Sequence, residues 1–388
     1  MPLIFIFTMF FPVVMLPFNI FLYSAEKKQK SVFIFLIAFG LAALAYNFRP
    51  FDYQNTDIIR HWSNMERANT MTFEDAEKSN AFSGLMGYYV ILKLFSYAES
   101  KYLLPAFITL LGYFLCIFVI AKMDEGFDNR ISFLTLFTFL SCISFLGFCS
   151  GIRQYIVFAI FVITFYTEAV KGKFRKGAWI IYILLTTIHT SAGIMILLRI
   201  ICGLFSRMKN IGFLSALILF WGFAQNTVIS FLANNFSGNT YIDKVIELSG
   251  FYEENPSGFI IPVYIWRFAF LIFCTFVVMF LLKKYDGQER IPKKYLCFAI
   301  SCCMFTFGGF TSYDLFARFS ILCFMIIIPL FPEFLKKIQL ESRSLCYFGL
   351  LFFSLLVLVY NIDQYLTVNF SGILEILTTN IFTFIGAI

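Results

Sequence analysis

The chain has 388 residues, of which 60% are hydrophobic, 20% aromatic and 14% charged, with a mean hydropathy of +0.81 and a formal net charge of +7. Soluble globular chains carry about 25% charged residues, so these figures exclude an ordinary soluble enzyme and indicate a polytopic membrane protein. The positive balance does not signal nucleic acid, because the basic residues fall in short stretches between apolar runs, where they set topology.

A lipid crossing needs about 20 apolar residues, and its backbone must be hydrogen-bonded internally, so the crossings are expected to be helical. The first apolar run, 3–23, lacks the leading basic residues and small-residue cleavage site of a signal peptide and reads as span one. It closes on Glu26, Lys27, Lys28 and Lys30, a cytoplasmic signal. A second run, 31–48, returns outward to a polar loop at 49–80 that carries Arg49, Asp52, Asp57, Arg60, His61, Trp62 and Arg67. Residues 81–98 are apolar but contain Gly84, Gly87 and Lys93. A full crossing there would put the cluster Lys171, Lys173, Arg175 and Lys176 outside, so a re-entrant or interfacial helix is expected. Residues 102–121 then run to the cytoplasmic side, 131–149 go out, Arg153 sits at the outer turn, and 156–170 return.

The apolar stretch 177–205 is too long for one crossing and too short for two, and His189, Thr190, Ser191 and Gly193 interrupt it. A hairpin or broken helix turning at His189 keeps Lys283, Lys284, Arg290, Lys293 and Lys294 inside. Beyond it, 211–232 go out to a second polar loop at 233–258, and 259–282 return with Arg267 in their outer half. Residues 295–310 lead to a short outer turn with Tyr313, Asp314 and Arg318, 319–335 return to Lys336 and Lys337, 346–360 go out, and 370–388 form a weaker apolar tail. The expected fold is therefore an all-α polytopic integral membrane protein, with about twelve transmembrane helices and a re-entrant or interfacial helix. It forms a single membrane domain over 1–388 with no independent soluble domain. The absence of an evident internal repeat weighs against an inverted-repeat transporter. The ten cysteines lie mostly within apolar runs, as the adjacent Cys302 and Cys303 do, and read as small buried hydrophobes, not as a zinc site or disulfide framework.

Charge at membrane depth costs about 2.5–3.5 kcal/mol per residue on insertion scales, so it is kept where it is used. Arg49, Arg60, Arg153, Arg267 and Arg318 fall on the expected outer side with the only two histidines, His61 and His189. The planar guanidinium fork suits a diphosphate, which makes these five arginines candidate diphosphate contacts. His189, His61 and Asp57 are candidate proton acceptors, and Tyr313 and Asp314 candidate sugar contacts. Each has a structural reading as well. Arg49 follows a span and could snorkel, His61 beside Trp62 could anchor the interface, His189 could bond the broken backbone, and Asp314 could pair with Arg318. No glycine-rich phosphate loop, His-Glu-x-x-His, Gly-x-Ser-x-Gly or Asp-x-Asp is present. No metal site or cofactor is expected, and a lipid-linked donor suits the chain better than a nucleotide.

Four passages resemble the EpsG-like branch of the Wzy-type polysaccharide polymerases. They are Phe48-Arg49-Pro50 followed by Asp57-Ile-Ile-Arg60-His61, Gly151-Ile-Arg153-Gln154, Ile188-His189-Thr-Ser-Ala192, and Ala317-Arg318-Phe319. The chain departs from the commoner family pattern in lacking the Gly-x-Asp form of the first passage. The resemblance implies a lipid-donor glycosyltransferase of the C-type fold at the outer face of a bacterial inner membrane, making O-antigen, capsule or exopolysaccharide. Its substrate would be an undecaprenyl-diphosphate-linked oligosaccharide, its surroundings the bilayer, and a chain-length regulator a further partner. A ligase using the same donor, or a flippase for lipid-linked oligosaccharide, remains the alternative at this point.

Overall fold

A computed structural model describes residues 2–26, 28–50, 57–173, 175–206, 260–287, 289–311, 313–369 and 371–387, with isolated positions between 212 and 235; the side chains at 175, 204, 205, 260, 261, 311, 313 and 314 are not described. Among the described residues regular structure is helical, apart from one bridge between Pro50 and Asn369. Five helices among the described residues are long and apolar enough to cross a membrane: Leu103–Met123, Ile152–Ala169, Pro262–Lys283, Leu315–Lys337 and Leu340–Val368. The chain divides into two compact units, one made of Met1–Met195 and Leu335–Ile388, the other of Ile196–Phe334.

In the first unit the opening apolar run is not one helix but two, α1 (Pro2–Phe10) and α2 (Leu16–Ala25). Pro12 lies in the break, where its ring removes a helical N–H, and Pro17 sits in the first turn of α2. The break nests on α3 (Lys30–Tyr46), whose Gly40 lets the Pro12 carbonyl approach to 2.9 Å of where a Cβ would stand. The polar stretch 49–80 carries two helices, α4 (Asp57–Thr70) and α5 (Phe73–Lys78). In α4, Ile58, His61, Trp62, Met65 and Ala68 are buried at helical spacing while Arg60 and Arg67 face out, the one-sided stripe of an amphipathic helix. Asp57 in its first turn complements the helix dipole. The short α6 (Met86–Phe95) follows, ten residues and so about 15 Å long, half a bilayer core.

The core of this unit is α7 (Leu103–Met123), packed between α3 and α10 (Ile152–Ala169). Between them the run 131–149 breaks into α8 (Asn129–Cys142) and α9 (Phe145–Ser150), with Ser144 capping α9 by accepting from Gly147 N–H at 3.1 Å. Two glycines permit the close packing of α9. A Cβ on Gly112 would overlap the Phe148 ring, and one on Gly147 would overlap Tyr155. The interrupted stretch 177–205 is broken at the expected place, giving α11 (Arg175–Thr186) and α12 (Ser191–Phe205) on either side of His189.

In the second unit, α13 (Ile260–Lys283), α14 (Lys293–Gly308) and α15 (Tyr313–Ile327) pack mutually around Phe270, Phe324, Tyr295 and Cys323. A single turn of 3-10 helix joins α15 to α16 (Phe331–Lys337). The first unit is completed by α17 (Leu340–Val368), which packs on α8, and by α18 (Ile373–Thr378) and α19 (Ile381–Ile385). These last two dock back on the unit instead of crossing, with Phe384 against Phe39 and Tyr46. The expected outer loop 233–258 lies outside the described residues except at 235.

Candidate active site

Helix α4 is held at three points, and these place its charged end. At its start the Ile58 N–H donates to Ser150 Oγ (3.3 Å), beside the turn that carries Arg153. In its middle the Trp62 indole N–H donates to Lys101 O (3.1 Å) while its ring meets Tyr102 edge-on. Past its last turn Tyr89 donates to Met71 O (2.7 Å), and the Lys93 ammonium caps Asn69 O (2.8 Å) and Met71 O (3.2 Å).

Helix α6 in turn is fixed to the break at His189. The Tyr88 N–H donates to Thr187 O at 3.2 Å, and Gly87 makes this approach possible. A Cβ there would overlap Thr187 Oγ1 and stand 2.9 Å from Ile188 Cγ1.

Around Tyr88 the structure gathers five of the residues singled out from the sequence. His61 Nδ1 lies 2.6 Å from the Tyr88 hydroxyl. The Arg153 guanidinium stands over the Tyr88 ring at 4.6 Å. Arg60 pairs with Asp57 at 2.7 Å, and both charges are felt at Tyr88. His189 acts electrostatically on His61. His61 and Tyr88 are each 1% exposed and form a floor, whereas Asp57, Arg60, Arg153 and His189 are accessible and form a rim. Burial first, then the charges of Arg153 and Arg60 and the neighbourhood of His189, hold the His61 imidazole well below its ordinary titration range, so it is uncharged at neutral pH.

The hydrogen bonds specify how His189 is presented. The Ser191 backbone N–H, which can only donate, points at His189 Nδ1 from 3.1 Å, and Ser191 Oγ lies 2.9 Å from the same nitrogen. Nδ1 is thus an acceptor, and the ring hydrogen sits on Nε2. At the floor, Asn64 Nδ2 donates to the Tyr88 oxygen (3.4 Å), which is also hydrogen-bonded to His61 Nδ1.

Two of the remaining sequence candidates have described partners of their own. Arg49 is engaged with its own surroundings: it donates to Tyr46 O at 2.6 Å, stacks over the Tyr102 ring at 3.2 Å and meets Glu375 at 3.5 Å. Arg267, in the second unit, is 8% exposed and donates to Ala317 O at 2.7 Å, fastening α13 to α15 one residue before Arg318. The side chains of Tyr313 and Asp314 lie outside the described residues. Tyr88, Asn64 and Ser150 are not marked out by the sequence, and the one signal available, for Tyr88, is Gly87, a glycine breaking an apolar run just before two tyrosines. Among the described residues no three His, Cys, Asp or Glu side chains converge to hold a metal ion.

A model of the EpsG family matches residues 62–371, most of the chain. The chain belongs to the EpsG family. EpsG-like proteins are polysaccharide polymerases of the Wzy type, in agreement with the resemblance carried by the four sequence passages. The stretch matched by the EpsG model includes Tyr88, Arg153, His189, Arg267 and Arg318, while Asp57, Arg60 and His61 lie just ahead of it. Neither a curated protein nor a solved structure matches the chain significantly.

Proposed function

We propose that this chain polymerises lipid-linked glycan repeat units, moving a growing polysaccharide from undecaprenyl diphosphate onto a new lipid-linked repeat unit at the outer face of a bacterial inner membrane. The observation that carries this reading is the convergence of Arg60, Arg153 and His189 on one rim beside a carboxylate, Asp57. Arg153 and Arg60 bind the diphosphate, and the Nε2–H of His189 donates to it. The acceptor hydroxyl attacks the anomeric carbon, the bond from that carbon to the diphosphate oxygen breaks, and the electron pair leaves with the diphosphate. Two guanidinium groups and one N–H donor stabilise the charge that develops there.

The proton of the acceptor hydroxyl goes to the Asp57 carboxylate. His189 suits the donor role better than the base role, because the Ser191 N–H occupies its Nδ1 and its Nε2 already bears hydrogen. The Asp57–Arg60 pair is exposed, and such pairs are worth only about 0–1 kcal/mol, so a diphosphate takes Arg60 and frees Asp57 at little cost. Within the second unit Arg267 holds the Ala317 carbonyl and so fixes the backbone next to Arg318. The surrounding helices number about twelve crossings in this reading, with a C-type lipid-donor glycosyltransferase fold.

The test is purified protein in lipid nanodiscs, given defined undecaprenyl-diphosphate-linked repeat units without added metal and read by product length. Lengthened chains are expected. Arg153→Ala should lower the rate about 10²–10³-fold and Asp57→Asn about 10²–10⁴-fold. Transfer to another acceptor without lengthening, or movement of lipid without transfer, overturns the reading.

A further inference from the structure

Tyr88 does no chemistry in the reading above, yet the three elements that carry the site meet on it. Its N–H binds the turn before His189, its hydroxyl binds His61 and Asn64 of α4, and its ring lies under Arg153 from the first turn of α10. The His61 ring meets it edge-on, at 74° and 5.6 Å between centroids. A phenol suits this place because its ring face is negative and attracts a cation while its hydroxyl hydrogen-bonds in the ring plane. Phenylalanine would keep the first property and serine the second. Both Tyr88 and His61 are too deeply buried to touch a lipid-linked substrate.

We propose that Tyr88 is the positioning residue of this site: its ring seats the Arg153 guanidinium where the diphosphate binds, and its hydroxyl, locked on His61, keeps the ring from turning. A free arginine side chain samples many rotamers, and one already parked on an aromatic face loses less freedom when an anion arrives. Gly87 and the Thr187 carbonyl tie the Tyr88 backbone to the turn of His189, so the arginine and the histidine donor are placed by one residue.

This inference rests on Arg153 being a diphosphate contact, and the experiment separates the two. Equilibrium binding of undecaprenyl diphosphate is measured in nanodiscs for Tyr88→Phe and for the same protein with 3,4,5-trifluorophenylalanine at position 88. The two rings fill the site nearly alike, but the fluorinated face no longer attracts a cation. Affinity should fall by about 2- to 30-fold from the first to the second, and the difference should vanish when Arg153→Ala is added to both. Equal affinity of the two ring variants overturns the seat, as does a fall that persists without Arg153. Arg153→Ala binding as tightly as the wild type overturns the diphosphate reading itself, whatever the ring does.

Discussion

His61 is the residue whose environment makes the clearest prediction. It is buried, bonded to Tyr88, and faced by Arg153 and Arg60 with His189 beyond, so the folded chain keeps it uncharged. The unfolded chain takes up a proton near pH 6.5. The folded state thus binds fewer protons, and the stability from this site is complete above pH 6.5 and lost as pH falls, by about 1.4 kcal/mol per unit down to the folded value. Thermal unfolding in detergent between pH 7.5 and 5 should show a fall in Tm that His61→Gln flattens, and an unchanged slope in the variant would contradict the assignment. Gly87→Ala pushes a methyl into Thr187 and Ile188. It should cost about 1–3 kcal/mol as overpacking and reduce polymerisation, with partial rescue by Thr187→Ala. At this scale the arginines and histidines were legible because charge in an apolar chain calls for a reason. Tyr88 was not, being one of 20 tyrosines among 55 phenylalanines. Nor were the local engagements of Arg49 and Arg267, which depend on carbonyls, a ring and a glutamate that only the fold brings near.

Among the elements, α4 carries the Asp57 and Arg60 part of the rim, and its far end hangs on Lys93 and Tyr89 from α6. Replacing Lys93 with Met removes a cation from the last carbonyls of a helix, an effect of about 0.3–1 kcal/mol. Hydrogen exchange across residues 57–70 should quicken in that variant, and faster still with Tyr89→Phe; unaltered protection would show that α4 is anchored by Ser150 and Trp62 alone. Helix breaks were legible where polar residues interrupt an apolar run, as at His189. They were missed where proline and packing act without any loss of hydropathy, as at Pro12 and at Ser144, because hydropathy does not register a missing N–H or a cap. The helical character of 57–70 was hidden by its mixed charge, although the buried spacing of Ile58, His61, Trp62 and Met65 is written in the sequence.

At the scale of the whole molecule, the first unit carries a second polar cluster, distinct from the rim. Lys30 at the start of α3 pairs at 2.9 Å with Asp124 at the end of α7, and Tyr23 of α2 donates to the same carboxylate at 3.1 Å. Lys30 also reaches Ser132 of α8 at 3.4 Å. The Asp124 side chain is fully buried, so Lys30→Met alone should cost about 3–5 kcal/mol, while Lys30→Met with Asp124→Leu should recover much of it. Comparative unfolding of the two variants decides this, and a double variant no better than the single one would argue for specific bonding by the carboxylate. Orientation is open to labelling, since nine of the ten cysteines are buried and Cys346 is partly exposed. In a Cys346→Ser background, an impermeant thiol reagent on intact cells should label Cys introduced at Glu74 and spare Cys introduced at Lys173; the reverse pattern would invert the proposed topology. The docking of α6 on the turn at Thr187 also has a meaning in time. Translation delivers about 5–20 residues per second, so Tyr88 and His61 emerge and can pair seconds before Arg153 and His189 exist. The floor of the site is laid while the chain is still being made, and the cationic rim closes only when the turn at Thr187 arrives on Gly87. A chain halted before residue 189 therefore holds the floor of the site without its complete rim.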